Sequence, residues 1–433
     1  MEINIQVDTG AENPFTEELL NRLIITSCGI YNIRHLHITA SAVMSHKPPF
    51  SQNIEEVVSQ VFFCVENQIN KIAEITGIAP GELRIVNICA QNKKNYIPFK
   101  LCLDAPDDTI NAVVSACDFK RKFVTYRIDY QKRQNNFSTL ERFPLRGIGL
   151  SCAFAGSGYY GNNIYENDQK MEATLETDGS LTIHAMPPSP SILEIWKDTA
   201  AAVLDMNVKN IHINSIFEHD KEPLLPESVY SNLSVMTQLL KKCCTAIQNK
   251  RFRNPLPITV SKTISPLKKK QWHTDTFTGQ PFDSTAFASA AVELELDPCT
   301  FKCSLRGVWI VIDGGKIFLE AEAQNRIRLE INQTLCLLLD KEKLDCNKIA
   351  ISFIHSQGEP KQINRLVKNT IPAAFCSALS EAISETITAL PVESNLLFIK
   401  GAFKPEDMLG NEDIQDKKDT ETLIEPVLEG EQK

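Results

Sequence analysis

The fold is decided by the stretch from Glu66 to Asn87, which reads ENQINKIAEITGIAPGELRIVN. Its first half completes an amphipathic pattern that begins at Ile54, with apolar residues at spacings of three and four. The apolar stripe consists of Val57, Val58, Val61, Val65, Ile69 and Ile72. Gly77 follows directly, and glycine is the residue that most often ends a helix. The pattern therefore predicts a long helix over 54–76 with one buried face.

The residues that precede this helix predict a short strand. Ile3, Ile5 and Val7 alternate with polar residues, as in a strand with one buried face. Asp8-Thr9-Gly10 is then expected to form a turn. On the other side of the helix, a polar segment at 131–142 predicts a domain boundary near residue 143.

A second unit is predicted from residue 143 onward. It opens with Arg146-Gly147-Ile148-Gly149, a strand at 150–154 and a glycine-rich turn at 156–158. A hairpin over 171–185 follows, because Asp178-Gly179 is typical of a type I′ turn. Helices are expected at 192–204 and 231–249 with a strand at 210–216 between them. After Pro281 the order repeats in outline, with strands at 291–296 and 305–312, a turn at 313–315, and helices at 323–339 and 373–388.

Composition excludes several classes of protein. The 433 residues are 43% hydrophobic and 23% charged, as expected for a folded globular chain, and the net charge of -9 argues against nucleic-acid binding. No apolar stretch is long enough for a membrane span and no leader pattern opens the chain, so a cytoplasmic protein is expected. Thirteen cysteines lie scattered in apolar segments, which is typical of reduced thiols. Neither a disulfide framework nor a metal site is predicted.

The chain ends in an acidic segment. From Lys404 to Lys433 it contains ten acidic residues and few apolar ones, so a disordered tail is expected. The full prediction is a mixed α+β architecture of two successive domains, 1–142 and 143–403, in which helices pack on mixed sheets, followed by the tail at 404–433.

In order along the chain, these segments resemble the molybdenum-binding (molybdopterin-binding) subunit of the xanthine dehydrogenase and aldehyde oxidase family. The most specific match is Glu66 to Asn87, which is similar throughout to the family's long helix and its exit. Shorter matches are Val7-Asp8-Thr9-Gly10-Ala11, Tyr31-Asn32-Ile33, Arg146-Gly147-Ile148-Gly149, Asp178-Gly179-Ser180, Ala288 to Asp297, Ile312-Asp313-Gly314-Gly315 and Pro372 to Ile383. The resemblance covers residues 1 to about 400 and implies two successive molybdenum-cofactor-binding domains. It also implies that the family's first half has no counterpart in this sequence.

The resemblance implies a chemistry whose requirements can be examined position by position. In the family, a molybdenum ion held by a pterin dithiolene hydroxylates a carbon, and electrons leave through iron–sulfur clusters and flavin. The protein supplies backbone amides around the anionic cofactor and a glutamate that acts as a general base.

Three loops depart from the family's pattern. Its first glycine loop falls on Ile54, Glu55 and Val57, where an aliphatic residue, an acidic residue and a second aliphatic residue stand. Its second loop falls on Ser189-Pro190-Ser191, and Pro190 removes an amide donor. The catalytic glutamate falls near Arg365, which stays protonated and cannot act as a base. No residue is therefore assigned a catalytic role, and these five positions mark a degenerate cofactor site.

Three hypotheses follow. In the first, the chain is a non-catalytic homologue without cofactor that serves as a structural or assembly partner of a molybdenum hydroxylase. In the second, it is part of a split molybdenum subunit whose N-terminal half is another chain, with molybdenum–molybdopterin bound and iron–sulfur and FAD partners. Such an enzyme would hydroxylate a purine, an N-heterocycle or an aldehyde. In the third, the old cofactor cleft binds an unrelated small molecule.

Overall fold

The computed structural model describes most of the chain. The described residues are 1–11, 15–48, 54–89, 95–135, 144–161, 169–185, 190–214, 229–264, 272–297, 302–317, 319–340, 344, 346, 348–355, 358–363 and 365–393. The predicted tail at 404–433 and the predicted boundary at residue 143 lie outside them. The architecture is α+β with mixed sheets, as predicted.

The N-terminal region is a parallel strand pair packed against helices. Strands β1 (Glu2–Gly10) and β2 (His37–Met44) pair in parallel across helix α1 (Thr16–Ser27). Helix α2 (Ile54–Thr76) follows and ends where Gly77 adopts a φ of 70°, which confirms the predicted helix at both ends. The turn expected at Asp8 to Gly10 is wrong, because β1 continues through it with an irregularity in register between Asp8 and Gly10.

The deciding stretch folds around a buried ion pair. Helix α3 (Pro80–Asn87) returns beside α2 and brings the Arg84 guanidinium to the Glu66 carboxylate, with Nη2 2.7 Å from Oε2. The Tyr31 hydroxyl donates to the other carboxylate oxygen, and the Cys152 amide donates to Oε2 at 2.8 Å. All three side chains of Tyr31, Glu66 and Arg84 are at most 1% exposed. This network ties α2 and α3 to the strand that carries Cys152.

That strand belongs to the central four-stranded sheet. Its order is β12 (Ile349–Phe353), β11 (Cys303–Asp313), β10 (Phe282–Leu296) and β3 (Leu145–Tyr159). The three longer strands are almost continuously buried, since helices cover both faces. Gly156-Ser157-Gly158 lies within β3, so the turn expected there is wrong: the strand continues and pairs with β10.

Helices α8 (Glu320–Leu335) and α9 (Leu366–Ile383) cover one face of this sheet. At Gly149 of β3, an added Cβ would lie 2.1 Å from the carbonyl oxygen of Ala374, and at Gly147 it would lie 1.8 Å from that of Ala378. Glycine is therefore required at both positions of the Arg146–Gly149 motif, because α9 lies directly against the strand.

Helices from the first 142 residues cover the other face. Helices α4 (Pro106–Ala116) and α5 (Phe119–Asn135) bury Val113 and Phe119 against Trp309 and Val311 of the sheet. Glu293 of β10 accepts hydrogen bonds from Lys122 and Tyr126 of α5, each at 2.6 Å. Both parts of the predicted two-domain chain thus contribute to one sheet and its coverings.

A second four-stranded sheet is built from residues 169–264. Its order is β6 (Ile211–Asn214), β5 (Leu181–His184), β4 (Gln169–Leu175) and β7 (Ile258–Ile264), covered by α6 (Pro190–Leu204) and α7 (Val229–Lys250). A short 3-10 turn at Val208–Asn210 precedes β6. The predicted hairpin at Asp178-Gly179 is confirmed, but the type I′ turn is wrong, since only Gly179 has a positive φ.

The two four-stranded sheets share one topology. In each, an antiparallel hairpin is followed by a helix, a strand parallel to the second hairpin arm, and another helix. The predicted repeat after Pro281 is therefore confirmed. A small hairpin, β8 (Trp272–His273) with β9 (Thr278–Gly279), joins the two units.

Candidate functional site

The residues predicted to mark the cofactor site fall at the starts of three helices. Ile54 is the first residue of α2, and both Ile54 and Val57 are buried in the core, at 7% and 5% exposure. Glu55 lies in the same turn, with its side chain outside the described part. Arg365 precedes α9 with a left-handed φ of 69°. Pro190 is the first residue of α6, and its side chain is likewise not described.

The structure brings two of these three helix starts together. The Glu56 carboxylate accepts hydrogen bonds from the Arg365 guanidinium and from Lys368 Nζ, the latter at 2.7 Å. Neither cationic side chain is more than 25% exposed, and Glu56 is 40% exposed. The start of α2 is therefore joined to the start of α9 by a three-residue charge cluster, Glu56, Arg365 and Lys368.

An amide side chain fixes the same corner to the central sheet. Asn369 Oδ1 accepts from the Ser59 hydroxyl at 2.6 Å, and Asn369 Nδ2 donates to the Phe154 carbonyl at 3.2 Å. Because Asn369 is 2% exposed, its amide has no alternative in water. The contact holds α2, α9 and β3 in one arrangement.

Neighbouring charges shift the acidity of two carboxyl groups here. Burial alone would raise the pKa of Glu56, but the hydrogen bond from Lys368 and the charge of Arg365 outweigh it and lower the pKa. Burial raises the pKa of Glu330 in α8, although the charges of Arg365 and Lys368 oppose the shift. Glu56 is thus held in its charged form beside the two cations, whereas burial favours the uncharged form of Glu330.

Pro190 lies in the other four-stranded unit. The main contacts of α6 are with α7, the 3-10 turn and β6, all within residues 190–250. The first and third predicted loops are therefore brought to one corner, and the second is placed on a separate sheet.

This corner does not match the needs of an anionic metallopterin. Such a cofactor requires donor groups and positive charge that are free to face it. Arg365 and Lys368 already bind Glu56, while the side chains of Ile54 and Val57 point into the core. As placed in the described part of the chain, these residues offer no open backbone loop, and both cations already bind the Glu56 carboxylate.

Sequence reasoning located Arg365 but did not identify its partners. Glu56 stands within the first predicted loop, and Lys368 follows Arg365 by three residues, one helical turn. These two segments are both expected to approach the cofactor, and they carry opposite charges. That pattern could have predicted the ion pair. Glu330 gave no such signal, because its helix was placed by periodicity alone.

The parallel pair β1 and β2 is another feature that is open to solvent. It forms a two-stranded sheet, and neither outer edge is paired within the described residues. One face packs through Ile5, Val7 and Ile38 against the core, and the opposite face is exposed. Parallel strands normally occur inside larger covered sheets, so both edges present unpaired backbone groups that a further strand could satisfy.

The fold defines a class of protein, and the comparisons agree with it. Residues 1–88 match the family model of the molybdopterin cofactor-binding domain. No curated protein matches the chain. Several solved structures share its fold at low sequence identity, and such likeness concerns the fold alone.

Three of these structures show the range of sequence identity, coverage and TM-score. Aldehyde oxidoreductase from Desulfovibrio gigas is 18% identical with a TM-score of 0.68, covering 92% of this chain and 47% of that one. Quinoline 2-oxidoreductase from Pseudomonas putida 86 is 14% identical with a TM-score of 0.63, covering 92% and 60%. Reconstituted CO dehydrogenase from Oligotropha carboxidovorans is 12% identical with a TM-score of 0.67, covering 92% and 58%.

The family model and the shared fold together confirm the predicted resemblance. Residues 1–88 match the molybdopterin cofactor-binding domain, and the chain as a whole shares its fold with solved molybdenum-containing oxidoreductases. It spans between 47% and 60% of the length of the three solved structures above.

The described part of the chain contains neither a membrane-spanning helix nor a cluster of metal ligands. None of its helices combines the length and the apolar character needed to cross a bilayer. Within the same residues, no three His, Cys, Asp or Glu side chains are grouped so as to hold a metal ion.

Proposed function

We propose that this chain is a non-catalytic member of its family, without bound molybdopterin, that acts as a structural or assembly partner of a molybdenum hydroxylase in the cytoplasm. The observation that carries the proposal is the cluster of Glu56, Arg365 and Lys368. The family's general base would stand near Arg365, and an arginine engaged with a carboxylate cannot accept a proton.

The open edges of β1 and β2 support the assembly role. A strand from another chain could pair with either edge through main-chain hydrogen bonds, which is a common mode of protein recognition. The iron–sulfur, FAD and molybdenum subunits of a hydroxylase are the proposed partners.

The test is to tag the chain in its own cells, purify it with the proteins that bind it, separate the chains and assay each for pterin. Acid oxidation converts the bound pterin to a fluorescent product that can be assigned to one chain. The proposal predicts that any pterin stays with another chain. Pterin that separates with this chain would contradict it.

A second candidate function rests on the match of residues 1–88 to the cofactor-binding domain. In this alternative the chain is one part of a split molybdenum subunit, and another chain supplies the N-terminal half with its glycine-rich loop. The complex would hydroxylate a purine, an N-heterocycle or an aldehyde. Recovery of pterin from the complex of both chains, but from neither chain after they are separated, would favour this alternative.

A further inference from the structure

The outer edge of β2 is unpaired within the described residues. Its sequence, HITASAVM, contains no proline and no Asp, Glu, Lys or Arg residue. Proteins usually protect an edge strand with charged residues, with proline or with a covering segment. The neighbouring strand β1 carries the acidic residues Glu2 and Asp8 on its exposed face. The edge of this sheet that lacks protection by charge is therefore that of β2.

The sheet formed by β1 and β2 is also small. Two strands alone are only marginally stable in water, and sheets in globular proteins most often contain about four to six strands. If the β2 strands of two copies of the chain paired, they would form one continuous sheet with the strand order β1-β2-β2-β1. Such a sheet has the usual size.

The backbone of β2 determines which of its groups face outward. The His37 N–H donates to the Met1 carbonyl at 3.0 Å, so it points toward β1. The direction of these groups alternates from one residue to the next along a strand. The N–H and C=O groups of Ile38, Ala40 and Ala42 therefore point away from β1, toward the open edge.

An antiparallel pair with Ala40 on a twofold axis matches these outward groups. Ala40 then lies opposite Ala40 of the second copy, and Ile38 lies opposite Ala42, so each outward N–H meets an outward C=O. On the exposed face, the same register places Thr39 opposite Ser41. Apolar side chains thus meet apolar ones and hydroxyls meet hydroxyls, which favours cross-strand pairing. The edge of β2 is therefore complementary to itself.

The same register accounts for an exposed apolar side chain. Met44, the last residue of β2, is 76% exposed. In the antiparallel pair it lies across from Leu36 of the second copy, an apolar residue that packs at the edge of the core. The pair would therefore remove apolar surface of Met44 from water, which favours association.

We propose that two copies of this chain associate through the outer edges of β2, in an antiparallel pair centred on Ala40. A twofold dimer is the commonest form of oligomer, and it uses the same surface of both copies. The dimer depends only on the chain's own strand, and not on the proposed function. It leaves the outer edge of β1 open to a strand of another protein.

The test is the molar mass of the purified full chain, measured by analytical ultracentrifugation over a series of concentrations. The mass should rise from that of one chain to that of two. Ala40→Pro should weaken association about tenfold or more, because proline removes an outward N–H at the twofold axis in both copies. The Ala40 N–H does not point toward β1, so this variant should keep the β1–β2 pair.

A matched control makes the same substitution on the other edge. By the same alternation, the Asn4 N–H of β1 points away from β2, so Asn4→Pro should leave association unchanged. A second variant, Thr39→Lys with Ser41→Lys, places lysines directly opposite each other across the axis and should also weaken association. It keeps every backbone donor, and it tests the interface if Ala40→Pro folds poorly.

Three results would overturn the proposal. The first is a chain that stays a monomer at every concentration. The second is full association in both β2 variants, which would place the interface elsewhere. The third is an equal loss of association in Asn4→Pro, because the β2 edge would then not be the specific site. Circular dichroism of each variant establishes that it is folded before its mass is compared.

Discussion

At Glu66 a carboxylate with 1% exposure accepts hydrogen bonds from Tyr31, Arg84 and the amide of Cys152. Burial alone would lower the pKa of Arg84, but the charge of Glu66 outweighs it and raises the pKa further. Burial also raises the pKa of Tyr31 well above its ordinary value. Arg84 and Tyr31 are therefore both held in their protonated forms, and both donate to the Glu66 carboxylate.

Removal of one partner should leave a buried charge unpaired. We expect Arg84→Met to lower the free energy of unfolding by about 3–5 kcal/mol, because Glu66 would lose its counter-ion inside the core. Urea unfolding followed by circular dichroism measures this. Arg121→Met, at a 72% exposed side chain, is the control and should change stability by less than about 0.5 kcal/mol. Equal losses in the two variants would contradict this view of the deciding stretch.

Glu293 should make stability depend on pH. Burial would raise its pKa, but hydrogen bonds from Lys122 and Tyr126 outweigh it and hold the pKa below the ordinary 4.5. A carboxylate with a depressed folded-state pKa stabilises the fold above its unfolded-state pKa, and this stabilisation is lost as pH falls through the folded-state value.

We therefore expect the midpoint of urea unfolding to fall as the pH drops below about 4.5, and to fall less steeply in Glu293→Gln. The midpoint measured at a series of pH values from neutral to acid checks this. Glu82→Gln, which alters an exposed carboxylate, should keep the slope of the unaltered chain. An unchanged slope in Glu293→Gln would show that its ion pairs do not couple to folding.

Among the elements, α9 and β3 approach each other closely at the two glycines of β3. An alanine at position 149 would place its Cβ 2.1 Å from the Ala374 carbonyl oxygen. Either the helix or the strand must then move. We expect Gly149→Ala to cost about 1–3 kcal/mol, as overpacking in a filled core does.

Chemical unfolding of Gly149→Ala beside Gly81→Ala measures this cost. Gly81 lies in α3, where an added Cβ would meet only side-chain atoms, the nearest being the tip of Val114 at 3.2 Å, so that variant should be close to neutral. If Gly149→Ala were as stable as Gly81→Ala, the result would contradict the close approach of α9 to β3.

Periodicity predicted elements well where one face alone is buried. Helix α2 was located to the residue because its stripe runs without interruption from Ile54 to Ile72 and Gly77 ends it. The start of α9 was placed seven residues late, at Ala373, because a proline such as Pro372 is typical of the first turn of a helix. In the structure Pro372 lies inside the helix, which begins at Leu366, where contacts with α2 and β3 outweigh the local signal.

The candidate site was predictable only in part, for a related reason. Arg365 was located by counting back from a recognisable helix. That it cannot act as a base follows from its residue type alone. Its ion pair with Glu56 spans 309 residues of sequence, and no local pattern encodes it. The position of Pro190 on a separate sheet likewise depends on tertiary structure.

At the scale of the whole molecule, two sheets of the same topology form two separate cores. The core of residues 171–260 contains Met171, Trp196 and Leu239, whereas the central core is built from β10, β11, α8 and α9. Contacts between the two units are few beside those within each. Units of this kind often open independently.

We expect Met171→Ala to destabilise the unit of residues 169–264 by about 2–5 kcal/mol, because it leaves a cavity at a fully buried position. Native-state hydrogen exchange should show faster exchange of amides in β4, β5, α6 and α7, with those in β3, β10 and α9 little changed. Equal acceleration throughout would show that the chain unfolds as one cooperative body.

The whole molecule combines an intact scaffold with an altered corner at the starts of α2 and α9. The fold of a cofactor-binding subunit is kept, while the corner where α2 and α9 begin is closed by Glu56, Arg365 and Lys368. The scaffold contacts around it, from Glu66 with Arg84 to Asn369 with Phe154, are complete. A fold can persist without the chemistry it supports in relatives, because function depends on the site and not on the fold.

The most direct test is the molybdenum content of the chain, measured by elemental analysis on protein purified from its own cells with its partners attached and again after they are removed. We expect the separated chain to carry no molybdenum above background, whatever the complex contains. Close to one molybdenum atom retained per separated chain would contradict it, because the corner at Arg365 would then have to accept the cofactor after all.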